Sequence, residues 1–366
     1  MTRKVKESFK AHVQKLQRYQ TSLGRDLERG ERLDRNEKVS NFSDEVMAGI
    51  FHQFKNFSLS ASPDPTVLYE KIASVLNIQK NKIYLTCGIT EGIKVLYETI
   101  TNPGDNVIVL DPTYPMYMVY AKLYQLDYRQ FSYDKDCLPD IQTLYKNIDA
   151  RTKFIMIPNP NLPIESVFTV DEIRKIADHC RDKGIFLVID EAYHFWGAPT
   201  VIDLIDEYDN LIVFRTFSKA YGLAGIRLGF MVSQEENIEY FSKTRSLVES
   251  NTLSMTIADY FLDHPELRDV HVKEVKEGAQ YLQKELTALG LKWHGGHVTN
   301  GILIFLKSRE EADQIVLHMR KQKIYIRGAF EEPCHICIRV SLGPKEIMAR
   351  FVAELKAWLA QETTVR

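Results

Sequence analysis

The chain has 366 residues, 45% hydrophobic and 26% charged, enough for a large core and about two domains. Lys and Arg number 47 against 49 Asp and Glu, and this balance leaves no basic footprint for nucleic acid or an anionic membrane. No apolar run approaches the ~20 residues a bilayer-spanning helix needs, so no membrane association is expected.

The N-terminus mixes charged and apolar residues and lacks the apolar stretch of a signal peptide, which makes a cytoplasmic protein the default expectation. Val5, Phe9, Val13, Leu16 and Tyr19 recur at helical spacing and predict an amphipathic arm, packed on the body or on a partner subunit. From about residue 66 to 233, helical patterns alternate with short β-branched runs. The helix TVLYEKIASVL precedes the strand KIYLT, and EGIKVLYETI precedes NVIVLD. KFIMIP, the helix VDEIRKIADHCRDKG, GIFLVID and LIVFRTF follow. Apolar strands without polar alternation predict an α/β fold with a mostly parallel sheet buried by helices on both faces. After Phe230 the pattern turns helical to about 290, then gives strands near GILIFL, IYIRG and CIRVSL and a last helix, KEIMARFVAELKAWLAQ. The expected division is an arm over 1–40, a large domain over 41–240 and a smaller α+β domain over 241–366.

Five cysteines at irregular spacing argue against a disulfide framework. Cys334 and Cys337 form C-H-I-C, but no matched ligands accompany them. Buried strand cysteines are expected rather than a metal or redox site. No metal is expected.

Ligands of a parallel sheet gather at the carboxyl ends of its strands, so the turns there are the places to search. After KIYLT, Cys87-Gly88-Ile89-Thr90-Glu91-Gly92 feeds a helix whose free N–H groups suit an anion, with Ile89 and Thr90 at its first turn. Such turns are common, and this one alone is weak. After NVIVLD, Tyr114 offers a flat face for a heteroaromatic ring, or ordinary aromatic packing. GIFLVID ends in Asp190-Glu191-Ala192-Tyr193. Asp190 suits a protonated pyridine nitrogen and Tyr193 a phenolic oxygen. The rival use of an Asp-Glu pair, magnesium and a nucleotide, needs a phosphate loop that the chain lacks. LIVFRTF leads into Thr216 through Arg227, T-F-S-K-A-Y-G-L-A-G-I-R. The hydroxyls of Thr216 and Ser218 and the guanidinium of Arg227 suit a phosphate dianion, and Lys219 lies where a nucleophilic amine would be held. A lone lysine is usually solvated, but its place after an apolar strand favours chemistry.

Read in order, these motifs resemble the class I/II aminotransferases of fold type I, which use pyridoxal 5'-phosphate, and most of all the histidinol-phosphate aminotransferase branch. The resemblance runs from L-D-R-N-E at 33–37 to I-R-V-S-L-G at 338–343. It implies that Lys219 holds the cofactor as an imine and shuttles the proton, that Asp190 pairs with the ring nitrogen and Tyr193 with the phenolic oxygen, and that Tyr114 stacks on the ring. It implies further that Thr216, Ser218 and Arg227 bind the phosphate together with the Gly88, Ile89 and Thr90 turn. Arg339 and Arg327 match arginines that grip an acidic substrate, and Asn36 and Glu37 lie in the segment covering it. The partners implied are an amino donor, a small, sometimes phosphorylated carbonyl acceptor, and a second copy of the chain in a homodimer.

Two positions depart from the pattern. Where the family writes N-P-N-N-P-T-G, this chain has Asn159-Pro160-Asn161-Leu162-Pro163-Ile164-Glu165. The asparagine on the phenolic oxygen is thus Leu162, leaving Tyr193 alone there and the imine more basic, unless Asn161 swings in as a cofactor contact. Where relatives carry R-Y-P-D-P, this chain has Ala61-Ser62-Pro63-Asp64-Pro65, so Ser62 replaces a tyrosine that reaches the neighbouring subunit's phosphate. Tyr69 is a nearby aromatic without an assigned role. The same scaffold supports a decarboxylase, in which the carboxylate stands perpendicular to the ring, and a third possibility is an idle homologue. The retained Lys219, Asp190, Tyr193 and Arg227 speak against the last.

Overall fold

The computed structural model describes residues 8–19, 30–56, 60–61, 63–134 and 137–364. The chain opens with α1 (Ala11–Lys15), β1 (Glu31–Leu33), α2 (Asp44–Gln53) and α3 (Thr66–Leu76). The alternating region follows: β2 (Ile83–Thr86), α4 (Ile89–Ile100), β3 (Asn106–Leu110), α5 (Met116–Leu123), β4 (Asp127–Phe131), α6 (Ile141–Lys146), β5 (Thr152–Pro158), α7 (Val170–Arg181), β6 (Phe186–Asp190), β7 (Leu211–Thr216) and β8 (Gly229–Val232). Next come α8 (Glu235–Ser242), α9 (Thr252–Asp263), α10 (Pro265–Ala288), β9 (Trp293–Gly295), β10 (Gly301–Phe305), α11 (Arg309–Lys321), β11 (Ile324–Ile326), β12 (Cys337–Ser341) and α12 (Lys345–Thr364).

Seven strands form the main sheet in the order β2-β8-β7-β6-β5-β3-β4. All neighbours are parallel except β8, which runs antiparallel to both β2 and β7. The central strands β3 and β7 are buried along their whole length, which explains their unbroken apolar runs. Each face of the sheet carries its own core: one includes Ile108, Ile155, Leu187 and Val213, the other Val107, Phe154, Val188 and Phe214. This is the expected alternation of side chains across a sheet covered on both sides. Helix α7 starts in a capping box, with Thr169 and Glu172 satisfying each other's backbone N–H groups.

A third core gathers α10, α12 and the antiparallel strands β12-β10-β9 around Leu282, Ile302, Val340 and Phe351. Strand β1 pairs in parallel with β11, so the segment before the main sheet is docked on the C-terminal elements. Helix α9, by contrast, sends Met255, Ala258 and Phe261 into the first core. The N-terminal arm departs from its amphipathic pattern. Among the described residues of the arm the α-helix spans Ala11–Lys15, none of that helix is buried, and Phe9, Val13 and Tyr19 are exposed. Val5 lies outside the described residues. The cysteine pair also differs from expectation. Cys337 opens β12, but Cys334 lies in the preceding turn, where its carbonyl accepts the Cys337 N–H at 2.9 Å, and both are buried.

Candidate active site

The carboxyl ends of β2, β3, β6 and β7 bring the expected side chains to one edge of the sheet. Asp190, the last residue of β6, is buried. Its Oδ2 accepts from the Tyr117 hydroxyl at 2.6 Å and its Oδ1 from the Ala192 N–H at 3.0 Å. Burial nonetheless pushes this carboxyl up to about 6, against the pull of Tyr117, Ala192 and the nearby Lys219 cation. A carboxylate so short of counter-charge is suited to a cationic partner. Glu191, its neighbour in sequence, turns the other way into a buried ion pair with Arg215 at 2.6 Å and takes the Val201 N–H at 2.7 Å. The second carboxylate of the Asp-Glu pair is therefore structural.

Lys219 follows β7, and its ammonium lies 5.6 Å from the centre of the Tyr193 ring. It donates to the carbonyls of Arg35 at 3.2 Å and Asn36 at 3.1 Å. The Tyr193 hydroxyl accepts from the Asn36 amide at 3.2 Å. Asp190, Tyr193 and Lys219 thus converge, with the segment after β1 lying across them.

The anion cradle is visible in what a side chain at Gly88 would strike. Gly88 has φ +71°, and a Cβ there would lie 2.7 Å from an Arg227 nitrogen. A Cβ on Gly229 would come within 3.0 Å of the Ile89 nitrogen. The first turn of α4, which no side chain caps, therefore faces Arg227 across a gap kept by glycine. Thr90 and Tyr114 join their hydroxyls at 3.1 Å beside it. Ser218 is buried there, its N–H donating to Thr216 Oγ1 at 3.0 Å. Thr216 is more committed to the local backbone than the sequence implies, donating to the Leu228 carbonyl at 3.4 Å.

Arg339 on β12 and Arg327 face each other in an antiparallel bridge, their N–H groups donating to each other's carbonyls at 2.7 and 3.0 Å. Arg339 also donates to the Asp34 carbonyl at 2.9 Å. Its Nε is buried without a hydrogen-bond partner among the described residues. Burial, and secondarily the Arg327 charge, hold this guanidinium below its usual range. Two adjacent cations, one with a spare buried donor, favour an acidic ligand.

Asn161 is not turned toward Tyr193. Its Nδ2 donates to the Pro112 carbonyl at 2.9 Å, Tyr133 at 2.6 Å and the Ile164 carbonyl at 3.3 Å, and its Oδ1 accepts from Thr113 at 2.7 Å. It braces the turn that carries Tyr114. Leu162 is buried. Glu165, which stands where the family has glycine, is buried as well. Its carboxylate accepts from the N–H groups of Gly296 (3.2 Å), His297 (3.1 Å) and Val298 (3.1 Å) and from the Thr299 hydroxyl (2.6 Å). Ser62 lies outside the described residues. Tyr69 accepts the Leu85 N–H at 3.1 Å and donates to Glu249 at 3.3 Å, within its own chain. Tyr117 was missed by sequence reasoning. Its signal was the spacing of three from Tyr114 at the start of α5, which sets both rings over one turn, 5.8 Å apart.

The chain matches the family described as aminotransferase class I and II over residues 27–355, and it belongs to that family. It is 32% identical over 300 residues to a histidinol-phosphate aminotransferase of Thermoanaerobacter pseudethanolicus, covering 81% of this chain and 83% of that one. It is 29% identical over 331 residues to one of Clostridium botulinum, covering 89% and 91%. Among solved structures, the histidinol-phosphate aminotransferase of Sinorhizobium meliloti in complex with pyridoxal-5'-phosphate shares the fold at a TM-score of 0.85 and 23% identity, over 94% of this chain and 96% of that one. The L-threonine-O-3-phosphate decarboxylase of Porphyromonas gingivalis shares it at 0.76 and 18% identity, over 90% and 99%. The mostly parallel sheet flanked by helices is the fold these structures share. Among the described residues no helix is long and apolar enough to cross a membrane.

Proposed function

We propose that this aminotransferase uses pyridoxal 5'-phosphate, held at Lys219, to move an amino group between an amino acid donor and a small acidic carbonyl acceptor, in some cases a phosphorylated one. The observation that carries this is the convergence of Asp190, Tyr193 and Lys219 beside the Gly88–Arg227 cradle. Family membership and the similarity to histidinol-phosphate aminotransferases support it. The residues fit the cofactor at both ends. Asp190 supplies the undercompensated buried carboxylate that a protonated ring nitrogen needs, and the cradle supplies N–H groups and a guanidinium for a phosphate. When bound, the cofactor supplies an electron sink for the charge left on a substrate carbon that loses its proton.

The chain's own groups do the rest. Asp190 keeps the ring nitrogen cationic, with Tyr117 holding the carboxylate in place. Tyr193 donates to the phenolic oxygen, and Tyr114 stacks on the ring. Ile89, Thr90, Ser218 and Arg227 bind the phosphate, with the Thr216 hydroxyl orienting the Ser218 backbone. Asn161 supports the Tyr114 turn rather than touching the cofactor. Lys219 Nζ takes the substrate proton and returns it one carbon away. Arg339, with Arg327 beside it, holds the acidic end of the substrate, and the segment around Asn36 closes over it.

The working unit we propose is a cytoplasmic homodimer, consistent with the exposed apolar side chains of Phe51 and Leu247. Purified protein is expected to be yellow, and Lys219→Ala to lose that absorbance band. Protein that binds no pyridoxal phosphate would overturn the proposal. Conversion of the cofactor to its amino form by an amino acid marks transamination. Carbon dioxide release without that conversion would mark the decarboxylase alternative. A monomer by light scattering would count against the dimer.

A further inference from the structure

We infer that Asn36, by donating to the Tyr193 hydroxyl, tunes the Tyr193 side of the site from the segment after β1, where Leu162 in the turn after β5 has no donor to offer. This rests on the cofactor assignment above.

The two side chains meet over Gly301. A Cβ built there would lie 3.2 Å from Leu162 Cδ1 and 3.4 Å from Asn36 Oδ1. Leu162 can fill this space but cannot donate. The Asn36 amide can, and Nδ2 donates to the Tyr193 hydroxyl at 3.2 Å. Its orientation is fixed by Ser341. That hydroxyl accepts the Asn36 backbone N–H at 2.7 Å, so its one proton goes to Asn36 Oδ1 at 3.0 Å. Nδ2 is thereby left facing Tyr193.

The backbone is held just as firmly. Asn36 is buried at φ +55°, a left-handed conformation that asparagine tolerates better than most residues. Its carbonyl accepts from Asn300 at 3.0 Å and from Lys219 at 3.1 Å. Residue 36 therefore touches both the tyrosine and the lysine of the site.

A phenol that accepts a hydrogen bond becomes a better donor. With Asn36 behind it, Tyr193 donates more strongly to the phenolic oxygen, and the proton held at Lys219 Nζ beside that oxygen leaves more easily. Removing the Asn36 amide should make that proton harder to lose.

The test is a spectrophotometric pH titration of the holoenzyme. Asn36→Gly keeps the left-handed backbone and deletes only the amide. Its absorbance midpoint is expected to move upward by about half a pH unit, the scale of one modest hydrogen bond. Leu162→Asn added to it should bring the midpoint back, and Tyr193→Phe sets the upper limit of the shift. Should Asn36→Gly fail to fold, Ser341→Ala, which frees the amide to flip, should move the midpoint in the same direction. A yellow Asn36→Gly protein with an unmoved midpoint, alongside a shifted Tyr193→Phe, overturns this inference alone. So does a shift that Leu162→Asn fails to reverse. Wild-type protein that binds no cofactor overturns the proposed function as well.

Discussion

Tyr117 and Asp190 are joined by a 2.6 Å hydrogen bond in which the phenol donates and the carboxylate accepts, inside a region closed to water. This bond works against the burial that drives the Asp190 carboxyl up to about 6. Tyr117→Phe keeps the ring and loses the donor, so the carboxyl should rise further and a larger fraction should be protonated at neutral pH. A protonated Asp190 cannot pair with a cationic nitrogen. Cofactor affinity is expected to fall about fivefold to tenfold, the worth of one such hydrogen bond, in a titration of the cofactor-free protein.

Asp190→Asn should separate stability from function. A carboxyl raised to about 6 in the fold from its ordinary 3.8 contributes stability that is complete below 3.8 and lost as pH rises through 6. At pH 8 the cofactor-free protein therefore carries an unfavourable charge. The asparagine variant is expected to be more stable there by on the order of 1 kcal/mol in denaturant melts. Its activity should nonetheless drop by at least about a hundredfold, because the ring nitrogen loses its counter-charge.

Arg215 and Glu191 tie the ends of β7 and β6 together by a buried ion pair. Arg215→Leu leaves Glu191 charged and without that partner, and should cost about 3–5 kcal/mol in unfolding free energy. Replacing Glu191 by Met at the same time should recover a good part of the loss. An unchanged melting curve for Arg215→Leu would show that the pair is not desolvated as the structure has it.

His271 and His194 are both held down to about 4, chiefly by burial. His271 donates from Nδ1 to the Ala220 carbonyl at 2.8 Å, directly after Lys219, and is kept neutral. The unfolded chain binds protons at these residues near 6.5, so between about 6.5 and 4 it takes up protons the fold does not. Stability from this source is complete above 6.5 and is lost as pH falls through that window. Asp190 acts with the opposite sign over part of it. His271→Gln should flatten the acid limb of a stability-versus-pH curve measured on the cofactor-free protein.

Much of this was legible in the sequence because strand-end chemistry is local. Apolar runs named the strands, and the residues at or just past their carboxyl ends (Gly88, Tyr114, Asp190, Lys219) then fell on one edge without further information. What could not be read depends on contacts between distant segments. Strand β1 is three residues long, too short for any periodicity to show, and its pairing with β11 is what carries Asn36 to Tyr193. The antiparallel insertion of β8 between β2 and β7 leaves no local trace. Asn161 looked free to swing toward the ring because nothing in the sequence announced Tyr133, Thr113 and Pro112 as its partners. The N-terminal arm shows the reverse failure, a helical pattern whose apolar residues Phe9 and Val13 the fold does not bury.

Glu165 has a mechanical consequence. Its carboxylate behaves like a captive anion, tethered to the turn after β5 and seated in a ring of N–H groups from the loop between β9 and β10. Pulling it out would strand a buried charge and four donors together, which costs far more than sliding a rim contact apart. Glu165 therefore ties the turn after β5 to the loop between β9 and β10, and the two cannot separate without breaking these bonds.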